Sequence, residues 1–209
     1  MELNDSFWSG RRGWAAMLLV GTALLLWLLV PRVLVRRAEP LPEVLRSDLM
    51  LQEGRLVRLG SSNAFSGFVI ERYSSGLMMS RSAVSNGLLS GISQGWYTNG
   101  QMQVTEHFQN GISHGLRTKW YEGGQKLSEV NVVQGKLSGT FRRWHETGAL
   151  AEEVELRDGQ PDGVSKSYFA SGFQKARVVM RDGKPTEQTF WKDGEQPGQT
   201  QLASGAVTR

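Results

Sequence analysis

The sequence predicts a mainly β protein: an elongated, single-layer antiparallel sheet of stacked 24-residue β-hairpins, preceded by one transmembrane helix. Three observations predict it. The run from Trp14 to Val30 carries no charge, glycines recur every 24 residues in three parallel series, and an aromatic pair falls between the glycines of most units. Read in order, these give an N-terminal tail at 1–13, a membrane helix at 14–35, a linker at 36–49, a repeat region at 50–195 and a disordered tail at 196–209.

The membrane helix rests on length and flanks. Trp14 to Val30 spans roughly 25 Å as a helix, slightly less than a hydrocarbon core of about 30 Å. Val33, Leu34 and Val35 extend it if Arg32 snorkels and Pro31 is tolerated near the end. The anchor is carried by Trp14, Leu18, Leu19, Leu24, Leu25, Leu26, Trp27, Leu28 and Leu29. A cleaved signal peptide competes, but Arg32-Val33-Leu34-Val35 offers no small-residue cleavage site. Arg11-Arg12 alone does not make a twin-arginine signal, and a buried helix of a soluble protein would not need arginines at both ends. Basic residues lie on both flanks, so the side of the repeat region stays open, with a lean toward the cytoplasm. Pro40 and Pro42 suit a stiff linker.

The repeat is read from its glycines. Gly67, Gly91, Gly115, Gly139 and Gly163 form one series, Gly76 to Gly172 a second and Gly87 to Gly183 a third, all without slippage. Between the first and second series lie Trp96-Tyr97, Trp120-Tyr121, Trp144-His145 and Tyr168-Phe169, while the first unit keeps only Tyr73 behind Arg72. A degraded last unit carries Phe190-Trp191 and Gly194, two residues early. Asn99-Gly100, Gly123-Gly124, Asn110-Gly111, Asp158-Gly159, Asp182-Gly183 and Asp193-Gly194 favour two-residue hairpin turns, where positive φ penalises a Cβ. Alternation places Phe108, Val132, Leu156 and Met180, with Val130, Val154 and Val178, on an apolar face. Thr105, His107, Glu129, Asn131, Glu153 and Glu155 fall on a polar one. One such hairpin cannot stand alone, so stacking must supply its stability.

Charge argues against nucleic acid. Of the 24 Lys and Arg, five (Arg11, Arg12, Arg32, Arg36, Arg37) flank the apolar run; with Glu2 and Asp5 set aside, 19 basic and 18 acidic residues follow Ala38. The repeat region is nearly neutral and carries no phosphate-binding stripe. Absence of Cys excludes disulfides and thiol chemistry. His107, His114 and His145 occupy different positions in the unit and form no recurring metal site. Glu152, Glu153, Glu155, Asp158 and Asp162 could suggest calcium or paired carboxylates, but alternation sends Glu152 and Glu153 to opposite faces, beside Arg142, Arg143 and Arg157. Serines such as Ser138 and Ser165 lack a nucleophile-elbow context, and the glycine spacing fits no nucleotide loop. No cofactor, metal, small-molecule substrate or catalysis is expected.

The arrangement Gly91, Trp96-Tyr97-Thr98-Asn99-Gly100, Asn110-Gly111 and His114-Gly115 resembles the bacterial variant of the MORN repeat, from roughly Glu53 to Glu195. The lead-in Glu53-Gly54-Arg55-Leu56 to Phe65-Ser66-Gly67 is similar to the start of such arrays in the antitoxin-labelled YwqK group. The resemblance implies a non-catalytic scaffold that contacts proteins or lipids; together with the predicted helix, the expectation is a single-pass bacterial inner-membrane protein that binds a protein partner. Toxin neutralisation and lipid binding by the repeat are the alternatives. The candidate interaction surface is Trp96, Tyr97, Trp120, Tyr121, Trp144, Tyr168 and Phe169, either stacked between units or exposed to grip a partner.

Overall fold

A computed structural model describes residues 40–198. The predicted tail and membrane helix, 1–35, the first part of the linker and residues 199–209 lie outside the described residues. Among the described residues no helix is long and apolar enough to cross a membrane.

The chain enters through β1 (Glu43–Leu45), a 3-10 turn (Arg46–Asp48) and the hairpin β2 (Leu49–Gln52) with β3 (Arg55–Arg58). The repeats follow as β4 (Gly67–Arg72), β5 (Met78–Ser85), β6 (Leu88–Trp96), β7 (Met102–Gln109), β8 (Ile112–Ser113) and β9 (Gly115–Trp120). They continue as β10 (Lys126–Val133), β11 (Lys136–Trp144), β12 (Leu150–Arg157), β13 (Gln160–Tyr168), β14 (Gln174–Arg181) and β15 (Lys184–Phe190). From β4 onward the strands pair in chain order in one 13-stranded sheet, with β8 beside β7; β2 and β3 form a separate pair. Every pairing is antiparallel except β1 with β4, which is parallel.

That exception corrects the linker expected at 36–49. Its second half is folded: β1 covers the first edge of the sheet, and Val44 packs against a cluster of Leu49, Phe65, Val69 and Val84. The prolines do not prevent this, because a strand can begin on a residue that only accepts, and Pro42 O takes the Phe68 N–H at 2.8 Å.

Two kinds of connection alternate along the sheet. Asn86-Gly87, Asn110-Gly111, Gln134-Gly135, Asp158-Gly159 and Asp182-Gly183 are two-residue turns with both residues at positive φ, as is Glu53-Gly54 in the entry hairpin. Such turns match the twist of the strands they join. Each repeat turn also reaches back to the preceding unit: Gly87, Gly111, Gly135, Gly159 and Gly183 donate their N–H to Phe65, Leu89, Ser113, Leu137 and Pro161 carbonyls, at 2.7 to 3.3 Å.

At the other end of the hairpins the expectation of two-residue turns fails. Asn99-Gly100 and Gly123-Gly124 belong to five-residue loops, closed by Tyr97 N–H to Gln101 O and by Tyr121 N–H to Gln125 O, both at 2.8 Å. Only the second residue of each dipeptide is left-handed there (Gly100 φ 84, Gly124 φ 88). Asn99 instead uses Oδ1 to accept the Gln101 N–H at 2.9 Å, a local bond that keeps its own φ negative. Asp193-Gly194 also has a left-handed glycine alone.

The remaining glycine series sits inside strands. Asp162, Gly163 and Val164 lie opposite the single residue Glu155, and Ser90, Gly91 and Ile92 lie opposite Ala83. In these bulges Gly163 (φ 123) and Gly91 (φ 108) are left-handed. A Cβ on Gly163 would collide with the Glu155 carboxylate, which accepts the Val164 N–H at 3.2 Å. On the following strand the same glycines face the large apolar residues, as Gly91 with Phe108, Gly115 with Val132, Gly139 with Leu156 and Gly163 with Met180. The predicted apolar face is therefore found: Val130, Val132 and Val154 are buried, and Val132 is fully so. The bulge of the last unit carries one residue fewer, Pro185 to Glu187 spanning only Met180 and Val179, which contributes to its shortening.

Candidate interaction surface

Residues directly opposite one another on a ladder share a face, so the registers define rows across the sheet. The central row of the polar face runs without a gap from first strand to last: Leu45, Ile70, Arg81, Gln94, Thr105, Thr118, Glu129, Arg142, Glu153, Lys166, Arg177 and Thr189. It starts with Leu45 and the buried Ile70, carries one charge at Arg81, is neutral from Gln94 to the buried Thr118, and is charged toward the C-terminal end. Thr105, Glu129 and Glu153, assigned to the polar face from alternation, all stand in it. His107 and Glu155 lie on the same face one row further along, each leaning over the glycine of the next bulge.

The aromatic candidates divide into two groups with different work. Trp96, Trp120, Trp144 and Tyr168 end their strands on the polar face, each half-buried and directly opposite Met102, Lys126, Leu150 or Gln174. Lys126 Nζ lies 5.2 Å from the centre of the Trp144 ring, so it stands opposite one tryptophan and over the next. The second member of each pair begins the loop. Tyr73, Tyr97 and Tyr121 each send their hydroxyl to the backbone carbonyl of the next unit's first aromatic, Trp96, Trp120 and Trp144, at 2.6, 2.8 and 2.9 Å. His145 takes the same place, its Nε2–H donating to Tyr168 O at 3.0 Å. Phe169 has no hydroxyl, and the series stops there.

Sequence reasoning found the pairs but not this division. The signal was present: Tyr at 73, 97 and 121 keeps one phase of the repeat, and three tyrosines in succession point to the hydroxyl. The one non-tyrosine that keeps the bond is His145, which also carries a ring N–H donor.

The acidic cluster at Glu152–Asp162 is dispersed. Glu153 pairs with Arg142 at 2.8 Å, Glu152 with Arg143 at 3.0 Å on the other face, and Asp162 with Arg157 at 3.2 Å, while Glu155 holds the bulge. These pairs are largely solvent-exposed, and such pairs contribute little stability singly. His114 accepts the Gln134 N–H through Nδ1 at 3.4 Å and joins no ligand set. Among the described residues no three His, Cys, Asp or Glu converge as a metal site. The apolar face also carries polar groups near its N-terminal units: Ser82 and Ser93 hydroxyls meet at 2.6 Å, and Glu106, opposite Ser93, pairs with Arg117.

Residues 89–110 match the family described as MORN repeat variant. That stretch runs from the bulge of β6 through an aromatic loop to the next tight turn, so it contains both kinds of connection. No curated protein matches the chain. One solved structure it is similar to is a mutant of S. aureus TarM in complex with fondaparinux, alpha-GlcNAc-glycerol and UDP, at 12% identity and a TM-score of 0.32, covering 56% of this chain. The alignment spans 20% of that longer chain.

Proposed function

We propose that this MORN-repeat chain is a membrane-anchored, non-catalytic scaffold whose polar sheet face binds a protein partner. The observation that carries the reading is the unbroken row of directly opposed positions from Leu45 to Thr189. A sheet held in one register across its whole width offers a partner a fixed pattern of side chains, which loops would not. The uncharged run from Trp14 to Val30, bracketed by arginines, supports a span that holds this surface beside a bilayer. Trp96, Trp120 and Trp144 supply aromatic area at one border of the face, of the type that dominates protein interfaces.

The test is affinity capture of the detergent-solubilised full chain, with the polar-face substitution T105E/R142Q, which leaves the buried Thr118 untouched, as control. A stoichiometric protein recovered by the parent and lost from the variant supports the reading. Recovery of none, or of the same protein by both, refutes it. A reporter fused at the C-terminus fixes the side of the membrane on which the partner must be sought.

A further inference from the structure

The charged half of the central row alternates in sign until its end. Glu129, Arg142 and Glu153 follow one another across β10, β11 and β12; then Lys166 and Arg177 stand directly opposite on β13 and β14. Like charges in that position repel and cost stability. The surroundings offset the repulsion only in part. Glu153 neighbours Lys166, but its carboxylate is bonded to Arg142 at 2.8 Å, and among the described residues Lys166 has no ion-pair partner. Arg177 reaches only Glu187, at 3.5 Å, a carboxylate 69% exposed on the edge strand.

Besides the carboxylates of Glu153 and Glu187, the pair has two hydroxyl donors beside it. Thr189 lies directly opposite Arg177, and Tyr168, two residues from Lys166 on the same strand and face, has no hydrogen bond to its hydroxyl among the described residues. An ammonium, a guanidinium and two hydroxyls thus gather on one face of three neighbouring strands. Nothing in the fold requires the pair, since Thr105 and Thr118 stand opposite each other in the same row without charge.

We propose that Lys166 and Arg177, with Tyr168 and Thr189, form an anion-binding patch that receives an acidic segment of the protein partner. This inference rests on the scaffold reading and specifies the partner's chemistry. A carboxylate laid between the two cations relieves their repulsion and accepts from both. An extended acidic segment crossing the strands would also meet the aromatic border at Tyr168.

The experiment measures fluorescence anisotropy of a labelled glutamate-rich decapeptide titrated with the full chain in detergent, with a lysine-rich decapeptide and phosphatidylglycerol vesicles as the other arms. The parent is expected to bind the acidic peptide, more weakly as salt rises, and to ignore the basic one. K166Q/R177Q is expected to weaken binding at least tenfold, whereas R157Q leaves it unchanged. The thermal midpoint of K166Q/R177Q is expected to stay level or rise, because a repulsion has been removed. Equal peptide binding by the double variant overturns the proposal, as does a fall in midpoint without a change in binding. Tighter, pair-dependent binding to the vesicles than to the peptide also overturns it, in favour of a lipid headgroup. If the double variant still captures the partner that the parent captures, the inference fails and the scaffold reading stands. If neither captures one, that reading fails, and the peptide titration alone decides the patch.

Discussion

The tyrosine hydroxyls at 73, 97 and 121 and the imidazole of His145 each tie one unit to a carbonyl of the next. Tyr97→Phe and Tyr121→Phe keep the ring and remove only that bond, so each should lower stability by about 1 kcal/mol. Urea unfolding of the solubilised chain, followed by tryptophan fluorescence, measures the loss. The converse change, Phe169→Tyr, restores a donor where the series ends and should raise the midpoint. At the tight turns the demand is on backbone conformation: Gly111, at φ 83, should tolerate no Cβ, and Gly111→Ala should cost about 1 to 2 kcal/mol, whereas Asn110→Gly should be close to neutral. Circular dichroism melts distinguish the two.

Elements show what could be read from sequence and what could not. The period, the hairpins and both faces followed from glycine spacing and alternation, because each depends on neighbours within about twenty residues. Turn type did not. Asn110-Gly111 and Asn99-Gly100 are the same dipeptide, yet one is a two-residue turn and the other the end of a five-residue loop, since flanking register decides which carbonyl the glycine N–H can reach. Gln134 and Glu53, left-handed at φ 49, were invisible to a rule that looks for Asn and Asp. β1 was missed because parallel pairing with β4 spans about 25 positions and leaves no local pattern. At the candidate surface, the aromatic positions were legible; the Lys166 and Arg177 pairing was not, because it depends on a bulge-shifted register. The separate bulge at Gly163, opposite Glu155 on β12, makes a comparison possible. Gly163→Ala meets both a left-handed φ and the Glu155 carboxylate, while Gly139→Ala has open space around its Cβ and strained φ alone. The first should destabilise more than the second in the same unfolding assay.

Across the whole sheet, stability is a matter of neighbours. Each unit is held by turn glycines reaching back and by tyrosines reaching forward, the coupling expected of a one-dimensional array. The two ends differ. At the first, β1 and the β2–β3 hairpin close over Leu49, Phe65, Val69 and Val84; at the last, every residue of β15 is exposed, including Phe190 at 67%. Native-state hydrogen exchange should therefore be fastest in β15, slow through β10 to β12, and slower in β4 than in β15. Equal protection at both edges would count against unequal closure.

If units are interchangeable modules that support one another only through these contacts, their number should matter less than their phase. The direct test is to excise residues 115–138, one complete period, and in a separate chain residues 115–126, half a period, then record the circular dichroism and thermal unfolding of each in detergent. The account predicts that the full-period deletion keeps a β spectrum and a cooperative melt at a modestly lower midpoint, because Tyr97 then meets the carbonyl of Trp144 in place of Trp120. The half-period deletion should unfold or aggregate. Comparable loss of structure in both chains, or comparable retention in both, would contradict it.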